Sequence, residues 1–338
     1  MLRTSFTRRH LLGGGAAITT LLASQKVARA QSQSAVVPPR PARERLEEAL
    51  TRIGDSNGEG ARTCLKVYLQ AARAAADAAD ARARAGVTLG PLDGVIVSIK
   101  DLFDVAGEPT RAGSKILADA PPAAADAAVV RRLRAAGAVI IAKTNMSEFA
   151  FTGLGINPHY GTPGNPADRA RIPGGSSAGA AVAVADGMCE IAIGSDTGGS
   201  VRLPAALCGL VGFKPTKRRI PTDGAFPLSY TLDSIGPLAP SVAACANADA
   251  VMAGEEARPL EPAPLEGLRI GIAQGLPLRT LDETVSARLF EAINELGHAN
   301  VQLSRSRDFN APFKLSHPPA PTPELSVCHE CRLSFDGA

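Results

Sequence analysis

The feature that decides the fold is the stretch of residues 173–216, which reads PGGSSAGAAVAVADGMCEIAIGSDTGGSVRLPAALCGLVGFKPT. Two Gly-Gly-Ser turns, at residues 174–176 and 198–200, flank an Ala/Val-rich run and a short apolar segment. Glycine pairs let the backbone adopt positive φ angles or approach a ligand closely. Each pair places a serine hydroxyl directly after its turn, so the stretch predicts one polar site built around a nucleophile.

A serine hydroxyl is a poor nucleophile until a base takes its proton. None of the five histidines stands in a triad motif, and Gly-x-Ser-x-Gly is absent, which disfavours an α/β-hydrolase site. A lysine can act as the base if burial keeps it neutral. Lys100 follows the β-branched segment 95–99, which reads as a buried strand. The competing interpretation is a lysine that reaches the surface at a strand end.

The chain resembles the amidase signature family in six ordered segments: 94–101 (GVIVSIKD), 142–149 (AKTNMSEF), 173–177 (PGGSS), 196–202 (DTGGSVR), 212–216 (GFKPT) and 233–238 (DSIGPL). The resemblance extends over roughly residues 42–303. It implies an α/β fold with a central mixed β-sheet covered by helices on both faces. It also implies that the C-terminal part of that fold is missing from this chain.

The same resemblance assigns the reacting groups. It implies that Ser200 is the nucleophile, that Ser176 is a bridging serine held by a cis peptide, and that Lys100 is the catalytic lysine. It further implies an oxyanion hole made by backbone N–H groups of Thr197, Gly198, Gly199 and Ser200. Such donors stabilise the negative charge that develops on a carbonyl oxygen under attack.

Three neighbours of these residues are candidates for support. Ser177 either hydrogen-bonds the site or caps the helix that follows it. Asp196 and Arg202 are expected to form a buried pair that holds the nucleophile turn, rather than to contact substrate. The polar residues of the second segment are expected to be scaffold; these are Lys143, Asn145 and Glu148.

The chain divides into four regions. Residues 1–30 resemble a twin-arginine signal peptide, with Arg8-Arg9 before an apolar stretch and an Ala-Arg-Ala cleavage site, although a frayed N-terminal tail is the alternative. A polar linker is expected at 31–41 and the amidase signature domain, incomplete at its C-terminus, at 42–305. Residues 306–338 lose all periodicity, as a disordered segment or a frameshifted reading would.

Hydrophobic periodicity predicts alternating helices and strands, which indicates a parallel or mixed sheet covered by helices. The predicted helices are 42–53, 62–85, 126–136, 178–185, 242–252 and 282–296. The predicted strands are 95–99, 138–142, 190–194, 210–213, 268–273 and 301–303. Residues 231–238, which contain Gly-Pro, are predicted to be a loop.

Composition limits the partners. The net charge is +3 without a long basic run, and aromatic residues make up 4%, so no nucleic acid is expected. The N-terminal apolar stretch is too short to span a membrane. Cys328 and Cys331 lack a second pair of ligands, so no metal or cofactor is expected. The expected partners are a small-molecule amide substrate and the twin-arginine export machinery, and a homodimer is left open.

The leading functional expectation is a periplasmic or secreted amidase. It would hydrolyse a carboxamide to a carboxylate and ammonia or an amine through an acyl-enzyme on Ser200. One alternative is the A subunit of a glutamine-dependent aminoacyl-tRNA amidotransferase, which would be cytoplasmic. Another is an inactive truncated remnant of an amidase. The sequence does not indicate which amide is the substrate.

Overall fold

The computed structural model of the chain describes residues 40–272, 278, 280–298 and 301–305. The predicted signal peptide, nearly all of the predicted linker, the Cys328/Cys331 pair and the irregular tail lie outside the described residues. Those four expectations stay predictions.

Helices and strands alternate along most of the described chain. The helices are α1 (Ala42–Gly54), α2 (Gly60–Thr63), α3 (Leu69–Arg84), α4 (Ala128–Ala135), α5 (Ala178–Ala185), α6 (Arg202–Leu207), α7 (Val242–Ala253) and α8 (Glu283–His298). The strands are β1 (Cys64–Val67), β2 (Ile96–Lys100), β3 (Val139–Thr144), β4 (Ile191–Asp196), β5 (Val211–Gly212), β6 (Ser234–Ala239), β7 (Arg269–Ile272) and β8 (Gln302–Arg305). Of the described helices, none is long and apolar enough to cross a membrane.

Six strands form one mixed sheet in the order β1-β3-β2-β4-β6-β5. The three central strands β3, β2 and β4 are parallel, and β1, β6 and β5 pair antiparallel with their neighbours. Strands β7 and β8 form a separate parallel pair with α8 between them in sequence. The predicted mixed α/β architecture is therefore confirmed.

The sheet buries side chains on both faces, because successive residues of a strand point to opposite sides. Val97 and Ile99 of β2 belong to a core that includes α4 and α7. Ile96 belongs to a second core that includes α1, α3 and α5. Helices thus cover both faces, as predicted.

Small residues let the second group of helices approach closely. In α5 (AGAAVAVA) every residue from Ala178 to Val184 is buried. A Cβ atom on Gly179 would lie 2.6 Å from the backbone nitrogen of Asn145. The Ala/Val run between the two Gly-Gly-Ser turns is therefore a packed connector, which fixes both turns against the sheet.

The prediction of one helix over 62–85 is wrong. The chain forms the short helix α2, then strand β1, and only then the Ala-rich helix α3. Strand β1 pairs antiparallel with β3, in a register where Cys64 opposes Thr144 and Val67 opposes Ala142. This long-range pairing outweighs the local helix preference of the region, and local preference is all that the sequence pattern reports.

The prediction of a loop over 231–238 is also wrong, because residues from Ser234 onward form strand β6 between β4 and β5. The Gly-Pro pair, which suggested a turn, has a packing role. A Cβ atom on Gly236 would collide with the carbonyl oxygen of Phe213. The carbonyl of Pro237 accepts a hydrogen bond from the Phe213 amide at 3.1 Å. Glycine here marks a close approach of two backbones rather than a turn.

Candidate active site

The candidate site lies where the central parallel strands end. Strand β3 flanks β2 on one side and β4 flanks it on the other, because the chain passes from β2 to β3 and then crosses back over β2 to β4. Open α/β sheets bind ligands beyond the carboxyl ends of their strands at such a switch point. The carboxyl ends of β2 and β4 are Lys100 and Asp196. The topology alone therefore directs Lys100 and the turn after Asp196 to one place.

Lys100 is completely buried and has two hydrogen-bond partners. Its Nζ donates to Ser176 Oγ at 2.7 Å and to Ser195 Oγ at 2.9 Å. Burial lowers the pKa of Lys100 to about 7, although the charges of Asp196 and Asp233 act against that shift. A substantial fraction of Lys100 is therefore neutral at neutral pH and able to accept a proton.

Ser176 is fully buried and held through its backbone. It follows a cis peptide bond after Gly175, as the family resemblance implies. Its carbonyl accepts a hydrogen bond from the Ser147 amide at 3.0 Å, and the Gly175 amide donates to Gly153 at 2.7 Å. The segment between Ser147 and Gly153 thus fixes the first Gly-Gly-Ser turn beside Lys100.

Ser200 lies in the second turn, directly after β4. The amide of Ser177 donates to the Ser200 carbonyl at 3.2 Å, which holds the two serine turns against each other. Gly199 has φ of 132°, a conformation that favours glycine. The Ser200 side chain is almost fully buried, and its Oγ makes no hydrogen bond within the described residues. The structure brings Ser200 next to Ser176 without a direct hydrogen bond between their hydroxyls.

The four backbone N–H groups that are expected to form an oxyanion hole differ in the partners that they already have. The Gly199 amide donates to Asp196 Oδ1 at 2.8 Å, so it is already occupied. The amides of Gly198 and Ser200 have no acceptor among the residues that the structure describes. Thr197 donates its hydroxyl to Asp233 Oδ1 at 2.5 Å. The oxyanion hole stays a prediction, and Gly199 is the expected donor whose amide already has an acceptor in the structure.

The carboxylate of Asp196 organises the turn. It is fully buried and accepts hydrogen bonds from the amides of Gly199, Val201 and Arg202 and from the Arg202 guanidinium, both of whose contacts are 2.9 Å. Burial by itself would raise the pKa of Asp196, but the hydrogen bonds from Arg202 and the backbone outweigh it and lower the pKa. Arg202 has 52% of its side chain exposed, so only the Asp196 half of the predicted pair is buried.

Ser177 does not cap helix α5. Its side chain makes no capping hydrogen bond, and its Oγ instead donates to the Ser195 carbonyl at 3.4 Å. Together with the bond from its amide to Ser200, this contact ties α5 to the end of β4. The capping alternative is wrong. Ser177 instead links the start of α5 to strand β4 and to the Ser200 turn.

We predict that Asp196→Ala is much more destabilising than Arg202→Ala. Loss of the carboxylate leaves buried amides without an acceptor and should lower the free energy of unfolding by about 3 kcal/mol. Loss of the half-exposed guanidinium leaves the three amide contacts in place and should cost about 1 kcal/mol. Urea unfolding followed by circular dichroism measures both. Equal losses in the two variants would contradict this account of the turn.

A cavity of about 440 Å³ opens beside the site. Ser195 and Asp233 belong to its wall, so it touches the partner of Lys100 and the partner of Thr197. The rest of its wall comes from Leu102, Asp104, Thr110, Ala150, Thr222, Gly224, Ala225, Phe226, Pro227, Leu228, Tyr230, Ser234 and Ile235. Its volume suits a small molecule. Ser200 and Ser176 do not line it, so it flanks these two candidate residues on the Ser195 side.

Ser195 is the residue that sequence reasoning missed. The signal lay in the parallel pairing of β2 with β4, in which Ile99 opposes Ile193. Continuing that register by one position places Lys100 opposite Gly194, and the Lys100 Nζ reaches the hydroxyl of the next residue, Ser195. A single sequence shows neither the pairing nor its register, so Ser195 stood between the predicted strand 190–194 and the nucleophile turn and was given no role.

The polar residues predicted to be scaffold stay apart from the serines of the site. Lys143 is buried, its Nζ has no hydrogen bond within the described residues, and it lies 4.0 Å from Glu108 Oε2. Asn145 donates to the carbonyls of Arg62 and Gly161. The carboxylate of Glu148 contacts the side chains of Ser114 and His159. Among the described residues, no group of three or more His, Cys, Asp or Glu side chains could hold a metal.

Comparison with known proteins gives a consistent result. The family model described as Amidase matches residues 44–310. The chain is 45% identical to AtzE, which belongs to the 1-carboxybiuret hydrolase of Pseudomonas sp. strain ADP, over 69% of this chain and 54% of that protein. It is 44% identical to the A subunit of the glutamyl-tRNA(Gln) amidotransferase of Anaeromyxobacter dehalogenans over 74% of this chain and 53% of that protein.

A solved structure shows the same likeness in three dimensions. The native peptide amidase from Stenotrophomonas maltophilia superposes with a TM-score of 0.69 at 35% identity, over 79% of this chain and 58% of that one. The chain spans about half the length of the curated relatives it matches.

Proposed function

Because the chain belongs to the amidase family, we propose that it hydrolyses the C–N bond of a carboxamide, releasing a carboxylate and ammonia or an amine. One observation carries this proposal above the others. A completely buried Lys100, with its pKa lowered to about 7, donates a hydrogen bond to Ser176, and the Ser176 turn is bonded to Ser200. The arrangement supplies a base, a proton carrier and a nucleophile in order.

The acylation step follows from this order. Neutral Lys100 accepts the proton of Ser176 Oγ, and Ser176 accepts the proton of Ser200 Oγ as that oxygen attacks the amide carbon. The carbonyl oxygen becomes an oxyanion beside the amides of Gly198 and Ser200, which have no other acceptor in the described part of the chain. The tetrahedral intermediate then collapses. Its C–N bond breaks as Ser176 returns a proton to the leaving nitrogen and is reprotonated by Lys100.

The deacylation step uses the same groups in the same order. A water molecule takes the place of the departed amine, and its proton passes through Ser176 to Lys100 as its oxygen attacks the ester on Ser200. Collapse of the second intermediate breaks the ester bond and returns the proton to Ser200 Oγ. The products are a carboxylic acid, which ionises in water, and the free enzyme.

The cavity supports a small substrate. Its volume of about 440 Å³ is within the range of small-molecule sites, and its Ser195 and Asp233 walls adjoin Lys100 and the Thr197 turn. We propose that part of the amide substrate occupies it.

We predict that a fluorophosphonate probe labels one residue, Ser200. The probe reports an activated serine directly, and peptide mapping by mass spectrometry locates the adduct. The labelling rate should rise with pH through about pH 7, because Lys100 must be neutral to accept a proton. Absence of labelling on folded protein, or an adduct on another serine, would contradict the proposed function. Absence of labelling would favour the alternative that the chain is an inactive remnant of an amidase.

A second candidate function has one observation in its favour, the 44% identity to the A chain of an amidotransferase. In that role the protein would release ammonia from glutamine for a partner enzyme. Ammonia release from glutamine, together with co-purification of the other amidotransferase subunits, would support it. Hydrolysis of simple amides by the isolated chain supports the first candidate.

A further inference from the structure

The contacts of Lys100 include one that the proposed proton relay leaves unexplained. Ser176 accepts one hydrogen bond from Nζ at 2.7 Å, and Ser195 accepts another at 2.9 Å. Both serine side chains are buried or almost buried. The relay uses Ser176 but assigns nothing to Ser195, which also forms part of the cavity wall.

We propose that Ser195 is a positioning residue that holds Lys100 Nζ against Ser176 and stabilises the ammonium form created during each turnover. This inference rests on the proposed function, because it gives Ser195 a task within the same reaction. It concerns the hydrogen bond from Lys100 to Ser195, which lies on the cavity side, and not the bond to Ser176, which exchanges the proton.

The first argument is geometric. A lysine side chain has four rotatable bonds, so a single hydrogen bond leaves its Nζ free to move away from its partner. A second acceptor removes that freedom, and proton transfer requires heavy atoms held within about 3 Å. Ser195 is itself fixed, because it opposes Ile235 in the β4–β6 pairing and its carbonyl accepts the Ser177 hydroxyl.

The second argument is electrostatic. When Lys100 takes the proton of Ser176 it becomes a buried cation, which burial disfavours. The charges that act on it are Asp196, at the end of β4, and Asp233, before β6. Asp196 is already paired with Arg202, and Asp233 accepts hydrogen bonds from Thr197, Leu228 and Ser229. The Ser195 oxygen is a neutral acceptor in direct contact with Nζ, so it stabilises the cation locally.

The experiment compares Ser195→Ala and Ser195→Thr with a matched control, Ser98→Ala. Ser98 is a buried serine on the same strand as Lys100, but its hydroxyl contacts Cys189 Sγ instead. The readouts are the fluorophosphonate labelling rate of Ser200 from pH 5 to pH 10, and kcat and KM for an amide that the wild-type protein hydrolyses. Thermal unfolding of every variant verifies that the fold is intact.

We expect Ser195→Ala to lower kcat and the labelling rate about tenfold, the effect of one lost hydrogen bond. The acid limb of the pH profile should move to lower pH, because loss of an acceptor disfavours the protonated lysine. KM should stay within about twofold, Ser195→Thr should restore most of the rate because it keeps the hydroxyl, and Ser98→Ala should match wild type.

Two outcomes would overturn the inference. One is a Ser195→Ala protein with the wild-type rate and pH profile. The other is a change confined to KM, since that result would make Ser195 a substrate contact of the cavity. Both are distinguishable from failure of the proposed function, in which the wild-type protein itself leaves Ser200 unlabelled.

Discussion

Replacement of Ser200 by alanine is expected to reduce amide hydrolysis by about 10³-fold or more. The attacking oxygen is lost, whereas Ser176, Lys100 and the free amides of the turn are retained. Fluorophosphonate labelling should disappear in the same variant, because Ser200 combines a neighbouring proton carrier with adjacent unoccupied backbone donors. Ammonia release from a carboxamide panel and probe labelling measure the two effects on one protein preparation.

A Ser200→Ala protein with an unchanged melting temperature and no activity gives the clearest result. The hydroxyl makes no hydrogen bond within the described residues, so its removal should cost little stability. Ser98→Ala, which alters a buried serine outside the proton relay, serves as the matched control and should keep full activity. Hydrolysis by Ser200→Ala at the wild-type rate would require another nucleophile and would refute the proposed mechanism.

Replacement of Lys100 by methionine is expected to abolish activity while changing the pH dependence of stability. Methionine has a similar length and no titratable group, so the proton relay loses its base and the rate should fall by about 10³-fold. Activity of the wild-type protein should itself decline below about pH 7, where Lys100 becomes protonated. A Lys100→Met protein that retains activity with the same acid limb would show that another group titrates.

The stability effect has a definite sign. The pKa of Lys100 is about 7 in the folded protein against 10.5 as the ordinary value, so between these pH values the unfolded chain binds more protons. Wild-type stability therefore gains a contribution as pH rises through this window, and the full burial penalty applies below about pH 7. The Lys100→Met protein lacks this pH-dependent contribution to stability.

The difference in the free energy of unfolding between wild type and Lys100→Met isolates the pH-dependent contribution of Lys100. The methionine variant leaves Ser176 and Ser195 without the lysine, which costs a roughly constant amount. The free energy of unfolding of Lys100→Met, relative to that of wild type, should be highest below pH 7. This relative gain should be on the order of a few kcal/mol there and should shrink toward pH 10.5. Urea unfolding of both proteins at pH 6, 8 and 10 measures it. A stability difference that does not vary with pH would contradict a depressed pKa at Lys100.

The convergence of three distant residues was predictable because each carries its own local signal. Two glycine turns presented Ser176 and Ser200, and a β-branched strand ended at Lys100. Helix α5 was predicted with its observed bounds, since its small apolar residues favour a buried helix. Family resemblance then joined these signals into one site, and the structure places Ser176 within hydrogen-bond distance of Lys100.

The parts that were not predicted depend on contacts between segments. Strand β6 contains Gly236 and Pro237, which are turn residues by local preference, and only the approach of Phe213 explains them. The occupied amide of Gly199 follows from how the Asp196 carboxylate folds back on its own turn. Ser195 acquires its contact from the register of β2 against β4. Register and carboxylate orientation are tertiary facts that composition and periodicity do not encode.

If Ser200 and Lys100 react as proposed, the strand order β3-β2-β4 also determines when in folding the chain becomes reactive. Lys100 and Ser176 are separated by 76 positions, and they meet only when the connection from β3 to β4, which contains Ser176, packs across β2. Parallel pairing over such separations is a slow event in folding, because loop closure precedes the contacts that reward it. An incompletely folded chain therefore carries a serine without its base. The time course of fluorophosphonate labelling during refolding would therefore report when the central sheet forms. Chains that have not yet folded would be protected from premature acylation.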